Sequence, residues 1–241
     1  MFVITADQKA SRHDVDRAGT ERDELASRFA GRVVLPVDRT AGDEVQALVA
    51  DAATALDMVL RLTRAGHWSV GLGIGAVRTP LPRATREATG PAFIAARDAV
   101  TAAKRSATRF ALATDPPALP LGDAPDGGAD DRATALPGPA EVEALLTLLL
   151  LARDRRTPQG WEVVDRMADG GTQREVAAAM GITPQAVSTR LRTSGWRAER
   201  AAIPGITALL AHLDRTASPG DTPDDSPGSP ADRPARKGAR S

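Results

Sequence analysis

The sequence predicts an α+β chain built in two parts, and three observations lead to that class. Residues 1–112 mix short β-prone runs with helical segments. Residues 140–215 carry helical periodicity alone, with a cap, a glycine and a second cap spaced as in two short helices joined by a tight turn. Residues 113–139 are rich in Pro, Gly and Asp and read as a flexible linker, and residues 216–241 read as a disordered tail for the same reason.

Within the first part, "FVIT" at 2–5 and "VVLPV" at 33–37 are β-prone, with a polar helical segment over roughly 15–30 between them. The stretch "TAGDEVQALVADAATALDMVLRL" at 40–62 admits two readings. Val45, Leu48, Val49, Ala52, Leu56, Val59 and Leu60 fit one helix, capped by Asp43 with Gln46 closing a capping box. Alternatively Thr40 to Asp43 is a hairpin turn, "EVQALV" a strand, and a helix begins near Asp51. In "WSVGLGIGAV" at 68–77, Val70, Leu72, Ile74 and Ala76 alternate with Gly71, Gly73 and Gly75. As a strand it has one apolar face and one face without side chains, which something must approach closely, either a packed helix or a ligand. A helix over roughly 91–106 follows, with Pro91 suited to its first turn.

The segments "ITADQKASR" at 4–12, "GDEVQALV" at 42–49, "GLGIG" at 71–75 and "GPAFIAAR" at 90–97 resemble, in that order, the motifs of SatD-family proteins. The resemblance implies a palm-like N-terminal domain followed by a helix-turn-helix, in proteins some of which are labelled MarR-like transcriptional regulators. The motif order is also similar to the nucleotidyl cyclase and GGDEF palm, a ferredoxin-like βαββαβ sheet. That likeness places Asp7 after the first strand beside Asp43 in the central hairpin turn, with Glu44 assisting. Carboxylates so placed imply Mg²⁺ with the phosphates of a nucleotide, either as a small effector or as a substrate. The opposing reading is that Asp7 and Asp43 merely cap turns, with Ser11 and Arg12 as ordinary polar neighbours.

Composition narrows the chemistry. The 241 residues are 42% hydrophobic and 26% charged, enough for a packed core, and only 3% aromatic, so Ala, Leu, Val and Ile must build it. The absence of cysteine removes disulfides, thiolate metal sites and cysteine nucleophiles. His13, His67 and His212 have no metal-ligand spacing, and no catalytic residue is assigned. No apolar run reaches the roughly 18 residues of a membrane span, and "MFVITADQK" lacks the basic start of a secretion signal, so a cytoplasmic protein is expected.

The second part carries the most specific signal. "AEVEALLTLLLLARDRR" at 140–156 and "PQGWEVVDRMAD" at 158–169 read as helices, the first offering an apolar surface for a bundle core or a second copy. In "TQREVAAAMGITPQAVSTRLRTSGW" at 172–196, Thr172 caps a helix whose inner face is Val176, Ala177 and Met180. Gly181 makes the turn, Thr183 caps the next helix, and Pro184 opens it. Val187 and Leu191 face inward, four residues apart. This spacing predicts a helix-turn-helix. Thr183, Gln185, Ser188, Thr189 and Arg192 then face outward with Arg190 to one side, a set suited to base edges and phosphates of double-stranded DNA. Residues 190–200 carry Arg190, Arg192, Arg197 and Arg200 against Glu199, although the whole chain has zero net charge. "RAERAAIPGITALLAHLD" reads as one or two closing helices without a wing, and a reader of two half-sites would be a homodimer.

Overall fold

The computed structural model describes residues 1–9, 15–40, 42–115 and 136–217. Ser11, Arg12 and most of the expected linker and tail lie outside the described residues. The fold is mixed α+β: a five-stranded mixed sheet and eight α-helices among the described residues.

The strands are β1 (Phe2–Gln8), β2 (Asp38–Arg39), β3 (Glu44–Val49), β4 (Trp68–Gly75) and β5 (Phe110–Asp115), in the spatial order β2-β3-β1-β4-β5. The sheet is interleaved with α1 (Ala18–Arg28), α2 (Ala52–Arg64) and α3 (Pro91–Ala103). β1 runs antiparallel to both β3 and β4, whereas β4 and β5 are parallel. Helices α4 (Pro139–Asp154), α5 (Pro158–Ala168), α6 (Gln173–Met180), α7 (Pro184–Thr193) and α8 (Trp196–Ala217) complete the order of elements.

The ambiguous stretch over 40–62 resolves into a turn, a strand and a helix. Asp51, with extended backbone, accepts hydrogen bonds from the Thr54 amide at 2.8 Å and its hydroxyl at 2.7 Å, which fixes the start of α2 there. The β-prone run 33–37 differs from expectation. Val33 makes an isolated bridge to Val49, and the regular pairing begins only at Asp38. Pro36 has no amide hydrogen to offer a ladder, and its carbonyl is taken by the Thr85 hydroxyl at 2.6 Å.

The pleat gives the sheet two unlike faces. Phe2, Ile4 and Ala6 stand opposite Val49, Ala47 and Val45 on one side and Ile74, Leu72 and Val70 on the other. This apolar face is covered by α2 and also by α4 and α8, whose Val142, Leu146, Leu150, Ile206, Leu210 and Leu213 join the same buried core. The opposite face carries Gly71, Gly73 and Gly75, where a Cβ would stand closer than 3.0 Å to the backbone of α3 or, at Gly75, of Asp115. A helix therefore occupies the bare face, as close as its backbone allows.

A second buried cluster lies in α5, α6 and α7, formed by Val163, Val164, Val176, Ala177, Val187 and Leu191. Among the described residues no helix is long and apolar enough to cross a membrane.

Candidate nucleic-acid interface

The pair α6 and α7 is fixed by local chemistry at each of its ends. Thr172 and Glu175 form a reciprocal capping box: the Thr172 hydroxyl accepts from the Glu175 amide, and the Thr172 amide donates to Glu175 Oε2 at 2.8 Å. Those hydrogen bonds hold the Glu175 carboxyl below the ordinary glutamate range. Gly181 ends α6 in the left-handed region at φ 63° and ψ 32°. Two residues later Thr183 Oγ1 accepts from the Ala186 amide at 3.1 Å, and Pro184 opens α7.

Val187 and Leu191 are buried against Val176, Ala177, Val163 and Val164, with Met180, Ile182, Trp161 and Trp196 at the margin. Burying that stripe turns the rest of α7 outward. Thr183, Gln185 and Arg192 are exposed, and Ser188, Thr189 and Arg190 are half-buried. The side chains of Arg190, Arg192 and Arg197 make no ion pair among the described residues. Arg190 and Arg192 fall in the last turn of α7, where positive charge is favourable to the helix dipole.

Glu199, the acid that the sequence sets against this basic run, does not neutralise it. Its carboxylate points inward to Arg153 and, at 2.6 Å, to Arg156 Nη2. Arg156 is 7% exposed, donates through Nε to the Ser194 carbonyl at 2.9 Å and stacks on Trp161 at 4.2 Å. Arg153 also reaches the Leu60 carbonyl at 3.0 Å, and burial pushes its guanidinium below the ordinary arginine range against the raising pull of Glu199. Arg64 of α2 lies over the same ring at 3.9 Å, and Arg153 at 4.8 Å. A single indole thus carries three guanidinium groups and ties α2, α4, α5 and α8 together. Sequence reasoning misses this cluster, because its members are scattered from 64 to 199 and no periodicity links them.

The carboxylates expected at the sheet edge come from neighbouring positions of β1, the turn before β3 and the start of β3. Asp7 stands opposite Glu44 in the β1–β3 ladder, and the backbone carbonyl of Asp43 accepts from the Gln8 amide at 3.1 Å. Asp7 Oδ2 accepts from Lys104 Nζ at 2.8 Å, and Glu44 Oε1 accepts from the Thr40 hydroxyl at 2.6 Å. Among the described residues no group of three or more His, Cys, Asp or Glu is arranged to hold a metal ion. Asp7 and Glu44 are thus already partnered within the chain, by Lys104 and Thr40. Gln8, which the sequence does not single out, is buried and bridges the chain: its amide side chain donates to the Val15 carbonyl at 2.7 Å and accepts from the Arg17 amide at 2.9 Å.

No family model matches the chain, and no curated protein is similar enough to match it. The functional reading therefore rests on the residues themselves.

Proposed function

We propose that this chain is a DNA-binding transcriptional regulator. In this reading α6 and α7 form a helix-turn-helix, and α7 lies in the major groove of double-stranded DNA. The observation that carries it is the outward face of α7, where Gln185 and Arg192 are exposed beside Arg190, while the acid Glu199 is drawn inside. Gln185 suits adenine and Arg192 guanine, each through two hydrogen bonds, and Thr183, Ser188 and Thr189 suit phosphate at the helix start and flank. A neutral chain with a local group of cations on α7 and just after it binds DNA there, with modest nonspecific affinity.

Residues 1–112 are, in the same proposal, a palm-like unit for sensing or dimerisation. The strand order β2-β3-β1-β4, with elements β1-α1-β2-β3-α2-β4 along the chain, supports the palm reading. Two half-sites call for two copies, and Leu145, Leu148 and Leu151 of α4, exposed by 42%, 65% and 39%, supply an apolar surface for a homodimer. Light scattering that finds only monomer at micromolar concentration removes the dimer from the proposal.

The test is enrichment from a pool of genomic fragments, including the promoter of the protein's own gene, comparing wild type with Arg192→Ala at two salt concentrations. Removing a side chain that hydrogen-bonds a base edge costs about 1–3 kcal/mol, so the variant should bind the enriched fragment markedly less tightly. If the wild type enriches nothing at either salt, the DNA reading fails.

A further inference from the structure

A groove of about 980 Å³ opens on the α3 side of the sheet, away from α5, α6 and α7. Its walls bring together Arg39, Arg78, Arg86 and Arg97, with Glu44 and the exposed Ile94. The four arginines come from four separate segments: β2, the chain after β4, the 3-10 turn at 85–87 and α3. Two of them are already matched, Arg39 with Asp16 at 2.8 Å and Arg86 with Asp38 at 3.2 Å. The side chains of Arg78 and Arg97 have no ion pair or hydrogen bond among the described residues. Glu44, an acid in the same lining, already accepts from Thr40.

We propose that this groove is a binding site for a small organic or inorganic anion, one carrying phosphate or several carboxylates, held by Arg78 and Arg97 without a metal ion. A guanidinium presents planar, paired donors that match the two oxygens of a carboxylate or phosphate. The volume is that of a small-molecule site. A polynucleotide backbone would need its cations along a track, whereas here they surround one concavity. Ile94 gives the ligand's carbon skeleton an apolar wall, and Glu44 with Gln46, also in the lining, accepts from its hydroxyl or amino groups. Neither the charge nor the concavity is legible in the sequence, since residues 39, 78, 86 and 97 meet only through the fold. The inference stands apart from the DNA-binding reading.

The test is calorimetric titration of the full chain with inorganic pyrophosphate and, separately, citrate, at matched ionic strength in buffer freed of divalent cations on a chelating resin, with Mg²⁺ added back in a parallel series. One anion should bind saturably at one per chain, and Arg78→Ala with Arg97→Ala should weaken it at least tenfold. Arg155→Ala, an exposed arginine outside the groove, should leave it unchanged. Pyrophosphate alone points to a phosphate-bearing ligand and citrate alone to a polycarboxylate. Both substituted arginines are exposed, so the double variant should keep the wild-type circular dichroism spectrum. Several results overturn the proposal: neither anion saturating, the double variant binding as wild type does, Arg155→Ala weakening binding as much, or binding that needs Mg²⁺ and disappears in Asp7→Ala. Loss of DNA affinity in the double variant with no small-anion binding also overturns it, and makes the groove part of the DNA-binding surface.

Discussion

Arg64 of α2 and Asp165 of α5, 101 positions apart, face each other through two parallel hydrogen bonds of 2.6 and 2.7 Å, with the guanidinium stacked on Trp161. Both side chains are more than a third exposed, so water screens the pair. Arg64→Ala and Asp165→Ala are each expected to cost about 1 kcal/mol or less, and a double-mutant cycle by urea denaturation should give a coupling no larger.

Glu199 behaves differently because it is enclosed. Its side chain is 12% exposed, and those of Arg153 and Arg156 are 11% and 2%. Glu199→Ala leaves two guanidinium groups without their acid in a place that water barely reaches. The expected loss is about 3–5 kcal/mol by denaturant unfolding, well above that of Arg64→Ala. Equal losses for the two variants would contradict this account of the cluster.

Two glycines separate a steric role from a conformational one. At Gly73 an added methyl would overlap the backbone of Ala92 and Ala96, so Gly73→Ala must push α3 off the sheet. Overpacking of that kind costs about 3 kcal/mol or more. Gly181 has open space around it, and only its positive φ resists a side chain. Gly181→Ala should therefore cost about 1–2 kcal/mol, with Gly181→Asn costing less, as measured by thermal unfolding.

Asp51 gives a pH signature. Burial alone would raise its carboxyl, but the hydrogen bonds from Thr54, aided by Arg32, outweigh this and hold it below the ordinary aspartate range. A depressed folded value means stability that is present at neutral pH and lost as the pH falls through that value. Asp51→Asn keeps an acceptor for the Thr54 amide but not the titration. Its stability should fall less steeply than wild type between neutral pH and about pH 3, in denaturation curves taken across that range.

Local signals are the legible ones. Thr172, Gly181, Thr183 and Pro184 announce α6 and α7 because caps and turns depend on residues within a few positions of each other. The alternation of Gly71, Gly73 and Gly75 announces a close approach, and the structure supplies α3. The β-prone "VVLPV" misleads because Pro36 removes an amide that no propensity sum accounts for. The strand "FALATD" at 110–115 carries no such signal, since its last three residues pair with β4 while remaining only half-buried, without an alternating pattern. Contacts such as Glu199 with Arg156, or the sharing of one groove by Arg78 and Arg97, depend on tertiary placement and leave no trace in spacing. The same holds for Asp7, whose partner Lys104 is 97 positions away.

The sharing of one core between the sheet and the helices α4 and α8 has a consequence for synthesis on the ribosome. The strand at the centre of the sheet, β1, is translated first, the strands that flank it are complete by Gly75, and the last strand ends at Asp115. Leu210 and Leu213, which cover that apolar face, follow about 100 residues later. At ordinary elongation rates of about 5–20 residues per second, a nascent chain carries a sheet face covered by α2 but not yet by α8 for roughly 5–20 s. Fragments that end before α4 and α8 are therefore expected to aggregate or to engage chaperones where the full chain does not.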